Sequence, residues 1–497
     1  MSDSTAAPIA RPDSLYLDGA WVDPASGGRI EVINPATEEV FLRVAEATEP
    51  DIDRAVAAAR TAFDHGPWPR LSPGERAGYL RAIAAKLDER VDDVARIWPS
   101  EMGSTHAVAH AFAGTIGAVY GYYADLAETF PFEERFDSPP GGGELALIVR
   151  EPVGVVGAIV PWNAPINIMA YKIAPALLAG CTVVLKCSPE APGAGYVMAE
   201  IAEEIGLPRG VLNVVTADRG PSERLVRHPG VDKISFTGSL AAGRKIAGIA
   251  AERIARLTLE LGGKSAAVVL DDIDLGAAAE AIGGYACFLT GQVCSSLTRI
   301  IVSRDRHDEL VDALAGVFGK VQLGDPFDAA TGMGPIATRR QLEKVEHYVD
   351  LGVSEGARLA AGGRRPKELD RGWFYEPTVL ANVDNGATVA REEIFGPVLS
   401  VIPAENEDHA IELANDTIFG LNNSVFTDDV DRAYAVARRL RSGTVGHNVF
   451  RSDMRIGFGG FKQSGLGREG GVDGLRPYLE NKTVILEDRP SHLEPRA

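Results

Sequence analysis

The sequence predicts an α/β protein whose central unit is a doubly wound parallel sheet. Between residues 155 and 261, short apolar runs alternate with segments of helical periodicity. Strands separated by helices pair in parallel through right-handed crossovers, which gives a sheet with helices on both faces. Residues of unusual type cluster in three of the loops where the predicted strands end.

The predicted strands and helices alternate without interruption in this region, and one helix ends at Gly206. A separate apolar run near the C-terminus predicts one more strand, at residues 478–486. The central strands are predicted at 155–160, 182–185, 211–215, 233–236 and 257–261, and the helices at 166–179, 195–205, 222–227 and 240–250.

The composition limits the kinds of partner. The chain has 497 residues, 45% hydrophobic and 24% charged, so it is long enough for two or three globular domains. Its net charge of -19 would repel a nucleic-acid backbone and an anionic membrane surface. No apolar run is long enough to predict a membrane-spanning helix. We therefore expect a small-molecule ligand, with no nucleic-acid and no membrane partner.

The cysteines indicate the compartment. Cys181, Cys187, Cys287 and Cys294 show neither CxxC nor Cys/His spacing, so no metal site is predicted. An oxidising compartment usually gives a denser cysteine pattern, and the first residues lack the basic start and apolar core of a signal peptide. We expect reduced thiols in the cytoplasm.

Three loops at the carboxyl ends of predicted strands carry residues suited to binding, and ligands of doubly wound sheets bind at this edge. Gly238 allows close approach of a diphosphate, and Ser239 opens a helix whose N–H groups suit a phosphate. A glycine-rich turn alone is weak evidence. Lys186 follows a buried strand, where it could reach a nucleotide ribose or be a solvated strand end. The loops are Pro-Trp-Asn-Ala-Pro at 161–165, Lys-Cys-Ser-Pro-Glu at 186–190 and Phe-Thr-Gly-Ser at 236–239.

Cys294 and the distant Glu260 form the most informative pair of the sequence. A thiol with a pKa of about 8.5 needs a helix N-terminus, a cation or a base to become a nucleophile at neutral pH. Gly291 and Gln292 before it suit a close approach to a helix start. A buried structural cysteine is the alternative interpretation. The residues around Cys294 alone support the nucleophilic and the structural role equally.

Seven motifs together resemble those of the aldehyde dehydrogenase superfamily and stand in its order. The resemblance extends from about residue 15 to about residue 487, and seven ordered motifs are far more specific than any one of them. They are Pro161-Trp162-Asn163, Lys186, Phe236-Thr237-Gly238-Ser239, Glu260-Leu261-Gly262-Gly263-Lys264, Gly291-Gln292-Val293-Cys294 with Arg299, Glu392-Glu393-Ile394-Phe395-Gly396-Pro397 and Phe458-Gly459-Gly460-Phe461-Lys462-Gln463-Ser464-Gly465.

The resemblance implies covalent catalysis. Cys294 would attack the aldehyde to give a thiohemiacetal, and the Asn163 amide with the Cys294 backbone N–H would hold the oxyanion. After hydride transfer, Glu260 would activate the water that hydrolyses the thioester. Lys172 and Glu469 match positions that support proton release from this base, although an exposed surface charge is an equally open reading of each.

The resemblance also implies an NAD(P) site, in which Lys186 would bind the adenosine ribose, Glu393 the nicotinamide ribose, and Phe395 would lie beside the nicotinamide ring. Pro189 stands where NAD-preferring relatives often carry a glutamate for the ribose 2′-hydroxyl, and Glu190 comes one residue late. We favour NAD and leave NADP open, because losing a repulsive carboxylate does not itself create a phosphate site. The implied cofactor-binding residues are Ile159, Pro161, Trp162, Lys186, Ser188, Pro189, Glu190, Phe236, Gly238, Ser239, Leu261, Gly262, Glu393 and Phe395.

The implied substrate tunnel is mainly apolar. Ala164 stands where several relatives carry a bulky aromatic residue, which predicts room for a long-chain, aromatic or terpenoid aldehyde. Arg451 and Arg455 could instead receive a carboxylate, which would indicate a semialdehyde-acid dehydrogenase. The implied substrate residues are Ala164, Ile168, Tyr171, Val293, Ser295, Arg451 and Phe458.

Rival functions are separated by single residues. A dehydrogenase that passes the thioester to coenzyme A typically lacks the counterpart of Glu260. A cysteine hydrolase needs a histidine beside Cys294, and His447 is the one that comes close to a recognised motif. A catalytically silent relative would have lost Cys294, Glu260 or Asn163.

By the same resemblance, the NAD(P)-binding domain takes residues 1–128 and 149–262, the α/β catalytic domain residues 263–463, and a small β bridging segment residues 129–148 and 478–488. The late strand at 478–486 reads as an edge strand, which invites pairing with another subunit. We expect an oligomerisation role for this segment, in a homodimer or in a homotetramer built from two dimers.

Overall fold

The structure, a computed structural model, describes residues 7–137, 139–491 and 493. Residues 1–6 of the predicted NAD(P)-binding domain and residue 138 of the predicted oligomerisation segment lie outside the described residues. The strands in chain order are β1 (Leu15–Leu17), β2 (Ala20–Val22), β3 (Arg29–Ile33), β4 (Val40–Ala45), β5 (Glu133–Asp137), β6 (Leu145–Pro152), β7 (Val155–Ile159), β8 (Thr182–Cys187), β9 (Leu212–Thr216), β10 (Lys233–Thr237), β11 (Arg256–Glu260), β12 (Ser265–Val269), β13 (Leu297–Ser303), β14 (Arg358–Ala361), β15 (Thr378–Ala381), β16 (Val398–Ala404), β17 (Asn422–Phe426), β18 (Thr444–His447), β19 (Gly465–Leu466) and β20 (Leu479–Leu486).

The helices begin and end at residues with clear local reasons. At the start of α2, the Ser72 hydroxyl accepts the Glu75 N–H at 3.2 Å and the Glu75 carboxylate accepts the Ser72 N–H at 2.7 Å. At the end of α5, Gly180 adopts φ 97°, which favours glycine. The helices are α1 (Glu49–Asp64), α2 (Pro73–Glu89), α3 (Val91–Met102), α4 (His106–Thr129), α5 (Pro165–Ala179), α6 (Gly193–Glu204), α7 (Arg219–Arg227), α8 (Leu240–Ala251), α9 (Leu275–Cys287), α10 (His307–Phe318), α11 (Arg339–Ser354), α12 (Thr388–Arg391), α13 (Glu407–Asn415), α14 (Val430–Ala437) and α15 (Gly471–Leu475).

The first sheet has eight strands in the order β19-β11-β10-β7-β8-β9-β1-β2. Its five central strands are parallel, and α2, α4, α5 and α6 cover one face while α1, α7 and α8 cover the other. The predicted α/β fold with a doubly wound sheet is therefore confirmed. β19 pairs antiparallel with β11, which sets Gly465 opposite Glu260.

The second sheet has seven strands in the order β14-β15-β16-β13-β12-β17-β18, all parallel except β14. Helices α11 to α14 pack on one face, and α9 and α10 on the other. Four residues separate the end of β11 from the start of β12, so the two sheets follow each other closely in the chain at Glu260.

A separate antiparallel sheet has the order β20-β6-β5, and β3 pairs with β4. The predicted late strand is present at Leu479–Leu486, and among the described residues one of its edges has no strand partner. The division into domains and the oligomerisation role stay predictions. No described helix is both long and apolar enough to cross a membrane.

Candidate active site

Cys294 lies in a turn that leads into β13, and no helix begins there. The preceding 3₁₀ segment Phe288–Gly291 contains Leu289 at φ 48° and Thr290 at φ 56°. Gly291 has φ 69°, and a Cβ at this position would come within 2.3 Å of the backbone of the facing loop. These left-handed residues turn the chain away from the axis of α9. The expected helix start at the thiol is therefore wrong.

The buried side chain of Gln292 holds this turn from inside. Its Oε1 accepts the N–H of Ala337 at 2.9 Å, and its Nε2 donates to the carbonyl of Leu289 at 3.1 Å. Its own carbonyl accepts a hydrogen bond from Nδ2 of Asn163 at 3.0 Å. The sequence predicts for Gln292 only a close approach to a helix start, and its position two residues before the thiol is the available signal for its role in this turn.

Asn163 is fixed beside the catalytic turn through its backbone and its side chain. The indole N–H of Trp98 donates to its carbonyl at 3.0 Å, and Trp98 is another contributor that the sequence motifs did not indicate. An asparagine amide has two N–H donors, and one of them serves Gln292. Asn163 also lines the cavity that reaches Cys294, so its second donor is available for a ligand there.

Glu260 is the last residue of β11, and its carboxyl lies buried against the Cys294 thiol. The thiol and this carboxyl act on each other's pKa, and Oε1 of Glu260 has no hydrogen-bond partner among the described residues. Burial raises the pKa of Glu260 well above its usual value, the charge of Glu469 adds to this, and the charge of Lys172 opposes it. Such a carboxyl is suited to take up a proton near neutral pH.

The surroundings of Cys294 favour the thiol over the thiolate. Burial first, and then the charges of Glu260 and Glu393, raise its pKa well above the usual value. The backbone N–H of Ser295, which points at the sulfur, opposes this rise. Of the three activators that a nucleophilic cysteine can use, the one whose charge acts on the pKa of Cys294 is a base, Glu260.

Lys172 and Glu469 form a buried ion pair near Glu260. The exposed fraction of the side chain is 0% for Lys172 and 8% for Glu469, which rules out exposed surface charges. The ammonium of Lys172 donates to the Glu469 carboxylate and, at 3.4 Å, to the hydroxyl of Ser235. The phenol of Tyr478 donates to the same hydroxyl at 3.1 Å. The pair is thus anchored to the first sheet and to the start of β20.

A cavity of about 670 Å³ is lined by Cys294, Asn163 and Glu260 and by the loops after β7, β8 and β10. This volume is typical of cofactor and small-molecule sites. Leu261 is not part of the lining, because β11 has ended and its side chain packs on Gly243 in the core. The other predicted cofactor residues line the cavity, namely Ile159, Pro161, Trp162, Lys186, Ser188, Pro189, Glu190, Phe236, Gly238, Ser239, Gly262, Glu393 and Phe395.

The groups around this cavity fit a dinucleotide. Ser239 caps α8 by accepting the N–H of Ala242 at 3.3 Å, and both residues line the cavity, so the positive end of the helix dipole lies at its wall. Burial lowers the pKa of Lys186, because the buried ammonium has lost contact with water. Hydroxyl groups of a bound ribose would therefore stabilise this ammonium as hydrogen-bond acceptors. A Cβ on Gly262 would lie 2.3 Å from the Glu393 carboxylate, so glycine is needed for this carboxylate to reach the cavity.

Phe395 and Trp162 meet edge to face in the cavity, with ring centroids 5.5 Å apart. Phe395 has φ 61°, a rare conformation that side chains of α11 support. Nε2 of Gln341 donates to the Phe395 carbonyl at 2.9 Å, and Nζ of Lys344 donates to the Glu393 carbonyl at 2.8 Å. Gln341 and Lys344 also line the cavity, and the sequence motifs did not indicate them.

The residues predicted for the substrate do not share one environment. Ala164 and Val293 belong to an apolar cluster with Trp98 beside the catalytic turn, whereas Ile168 and Tyr171 pack against the core of the first sheet.

The three remaining predicted substrate residues differ from one another. Ser295 is buried, and its hydroxyl lies 2.9 Å from the phenol oxygen of Tyr285. Phe458 pairs through its backbone with Glu469. Arg451 is exposed, and the Arg455 guanidinium near it is held by Asp453.

Comparison with known proteins identifies the family. The model described as "Aldehyde dehydrogenase family" matches residues 21–484. The geranial dehydrogenase of Castellaniella defragrans is 46% identical over 473 residues, covering 95% of this chain and 98% of the relative. The 3-succinoylsemialdehyde-pyridine dehydrogenase of Pseudomonas sp is 42% identical over 477 residues, with 95% and 98% covered. The crystal structure of a Mycobacterium tuberculosis aldehyde dehydrogenase complexed with NAD+ matches with a TM-score of 0.93 at 42% identity, covering 96% of this chain and 99% of that one.

A thiol and a buried carboxyl at the wall of a dinucleotide-sized cavity define an NAD(P)-dependent oxidoreductase that acts on aldehydes. The chain belongs to the aldehyde dehydrogenase family, as the seven motifs predicted. The matching crystal structure contains NAD+, the cofactor that the sequence favours for this chain.

Proposed function

We propose that this protein oxidises an apolar aldehyde to the carboxylic acid, through a thioester on Cys294 that water activated by Glu260 hydrolyses. The observation that carries the proposal is that Cys294 and the buried Glu260 line one cavity together with Lys186 and Glu393, where thiol and carboxyl act on each other's pKa. Nucleophile, base and cofactor-binding groups thus meet at one place.

The reaction begins with transfer of the thiol proton to Glu260 while the sulfur attacks the aldehyde carbon. The free N–H of Asn163 and the backbone N–H of Cys294 stabilise the oxyanion of the thiohemiacetal. When bound, NAD supplies the hydride acceptor that allows the thiohemiacetal to become a thioester. Glu260 then removes a proton from water, the hydroxide adds to the thioester, and the acid leaves as the sulfur is released.

Glu260 has to lose its first proton before it can activate water. The buried Lys172–Glu469 pair acts on this step, because the positive charge favours the carboxylate form of Glu260 and the negative charge disfavours it. Ser235 and Tyr478 keep the ammonium of Lys172 in place through their hydroxyl groups.

Two rival reactions are less well supported. Transfer of the acyl group to coenzyme A would not need a buried base beside the thiol, and Glu260 is there. A cysteine hydrolase would need a histidine paired with Cys294, but Nε2 of His447 lies 2.9 Å from the carbonyl oxygen of Thr427.

An apolar substrate is supported by the cluster of Ala164, Val293 and Trp98 beside the nucleophile and by a relative named for geranial. A semialdehyde acid is the second candidate, because another relative is named for a semialdehyde. Asp453 neutralises Arg455, and Arg451 is exposed, which weakens this second candidate.

The substrate proposal is tested by kcat/KM for geranial, octanal, benzaldehyde and succinic semialdehyde, followed by NADH absorbance without coenzyme A. We expect each apolar aldehyde to exceed the semialdehyde acid at least about tenfold, because the acid would have to leave its carboxylate in an apolar cluster. A preference for the acid would overturn the apolar proposal. Ala164→Phe should raise KM for branched geranial more than for linear octanal, since it fills the space beside the nucleophile.

We further propose that the protein is a cytoplasmic homodimer or homotetramer joined through β20, whose outer edge has no strand partner among the described residues. Exposed Ile485 on this strand supports the proposal. Sedimentation velocity of the full chain should give two or four chains per particle, and a monomer would contradict it.

A further inference from the structure

Ser295, the residue that follows the nucleophile, is held by two distant segments of the chain. Its carbonyl accepts a hydrogen bond from Nδ2 of Asn422 at 3.1 Å, and its hydroxyl oxygen lies 2.9 Å from the phenol oxygen of Tyr285. Ser295 is 3% exposed and Asn422 is 1% exposed, so bulk water does not compete for these contacts. The backbone and the side chain of Ser295 are therefore fixed together.

Asn422 reaches the catalytic turn because the turn rests on the edge of the second sheet where β12, β13 and β17 begin. A Cβ on Gly263, between β11 and β12, would lie 2.5 Å from the Cys294 carbonyl oxygen and 3.2 Å from Cβ of Leu421. Glycine thus lets the turn pack directly against the chain that leads into β17. Asn422 is the first residue of β17 and is within hydrogen-bond distance of the Ser295 carbonyl.

Tyr285 is a rigid second support. It lies on α9, and its ring stacks on those of Phe288 and Phe450, with centroid distances of 6.0 and 4.9 Å and interplanar angles of 10° and 14°. These stacked rings restrain the direction of the phenol oxygen. Burial first, and the charge of Cys294 in addition, raise the pKa of Tyr285, so the phenol lies near the nucleophile.

The peptide between Cys294 and Ser295 is the part of the turn that this support affects. Its N–H, that of Ser295, lowers the pKa of the Cys294 thiol and so opposes burial and the neighbouring carboxylates. An N–H group acts in this way only while it is directed at the sulfur. That direction depends on the backbone angles of Ser295, which the contacts with Asn422 and Tyr285 restrain.

We propose that Asn422 and Tyr285 are positioning residues of the nucleophile, which hold Ser295 so that the backbone N–H groups of the turn stay directed at the sulfur and at the oxyanion. This inference rests on the proposed function, because the attacking sulfur is that of Cys294. Neither Asn422 nor Tyr285 lines the cavity that reaches Cys294, so their effect on the reaction passes through Ser295.

Asn422→Leu and Tyr285→Phe remove the two supports one at a time. Leucine has nearly the shape of asparagine, and Oδ1 of Asn422 has no hydrogen-bond partner among the described residues, so this change removes the bond to Ser295 alone. Phenylalanine keeps the stacked ring and removes only the hydroxyl. The two variants act on different atoms of Ser295, so each tests the proposal even where the other does not fold.

Asn423→Leu and Tyr120→Phe are the matched controls. Asn423 is the next residue in the chain and is also buried, but its Oδ1 accepts the N–H of Ala266 at 2.7 Å and its Nδ2 donates to the hydroxyl of Ser442 at 3.1 Å. Tyr120 is buried on α4, with its hydroxyl 3.8 Å from the sulfur of Met198. Both controls remove buried polar groups without acting on the catalytic turn.

The test measures the pH profile of Cys294 alkylation by iodoacetamide, kcat with saturating aldehyde, and Tm. A misdirected N–H stabilises the thiolate less, so each of the two variants should move the alkylation profile to higher pH by about half a unit or more. A displaced turn should also lower kcat about tenfold. Both controls should keep the wild-type profile and kcat, although Asn423→Leu should lower Tm more than Asn422→Leu, because it loses two hydrogen bonds.

An unshifted alkylation profile in a folded Asn422→Leu or Tyr285→Phe protein would overturn the role of that residue, whatever its Tm. An equal shift in the controls would overturn the proposal as a whole, since loss of any buried polar group would then have the same effect. Full turnover in Cys294→Ser would instead sink the proposed function, whereas the alkylation profiles report on the turn in either case.

Discussion

The Cys294 thiol and the Glu260 carboxyl line the same cavity, and each changes the pKa of the other. Burial and the charge of Glu260 raise the pKa of Cys294, and burial raises the pKa of Glu260. The titrations of the two groups are therefore coupled, and the sulfur stays in its unreactive thiol form until a base accepts the thiol proton.

Glu260→Gln is expected to separate the two tasks of the carboxyl. Turnover should fall about 10²–10⁴-fold, because no base remains for hydrolysis. The pKa of Cys294 should fall, since the Glu260 charge raises it. Alkylation of Cys294 by iodoacetamide should therefore accelerate at lower pH in the variant than in the wild type. Cys294→Ser serves as the control, because the other three cysteines are buried.

Alkylation profiles that coincide in Glu260→Gln and the wild type would contradict the effect of the Glu260 charge on the thiol. Retained turnover would show that another group is the base.

Lys172→Met and Glu469→Gln are expected to move the acidic limb of the pH–kcat profile in opposite directions. Catalysis needs the Glu260 carboxylate, so kcat falls as pH drops through the pKa of Glu260. Lys172 lowers this pKa and Glu469 raises it. Loss of Lys172 should thus shift the limb to higher pH, and loss of Glu469 should shift it to lower pH. Steady-state rates across the pH range provide the measurement.

The double variant Lys172→Met/Glu469→Gln is the control for that pair, and its limb should return towards that of the wild type. Each single change leaves a buried charge without its partner, which costs about 3–5 kcal/mol of stability, so thermal denaturation must accompany the rates. Shifts of both single variants in the same direction would argue against an electrostatic role.

Asn163→Ala should lower kcat about 10²–10³-fold, the usual loss when one donor to an oxyanion is removed. The Kd of NAD should stay unchanged, because the lost N–H serves the reacting aldehyde. Trp98→Phe is a graded control, since it removes the 3.0 Å hydrogen bond to the Asn163 carbonyl and keeps an aromatic ring in the cluster. An Asn163→Ala enzyme with normal kcat and a raised Kd for NAD would assign this side chain to the cofactor instead.

The sequence predicted the fold because the spacing of apolar residues differs clearly between its central strands and helices. It also predicted residues whose chemistry is unusual for their position, such as Lys186 at the end of a buried strand and Glu260 ahead of two glycines. Both lie at the carboxyl edge of the first sheet, where β8 and β11 end.

Supporting residues were missed because they reach the site from distant segments. Trp98 comes from α3 and Gln341 from α11, and each donates to a backbone carbonyl of a motif far away in the chain. Tryptophan and glutamine are common residues, and no local spacing links them to Asn163 or Phe395. The turn at Cys294 was misread because left-handed φ values at Leu289 and Thr290 are rare for such residues.

Glu101 predicts a pH dependence of stability that is independent of catalysis. Its Oε1 accepts the N–H of Gly193 at 2.7 Å, its Oε2 has no hydrogen-bond partner among the described residues, and burial raises its pKa to about 8. The folded protein keeps this proton up to that pH, whereas the unfolded chain releases it near 4.5. The free energy of unfolding should therefore fall by about 1.4 kcal/mol per pH unit between these two values.

Glu101→Gln keeps the acceptor and removes the titration, so its Tm advantage over the wild type should grow from pH 5 to pH 8 and stay constant above. Glu368→Gln, at an exposed position, should show no such trend, and a pH-independent difference for Glu101→Gln would refute the buried titration.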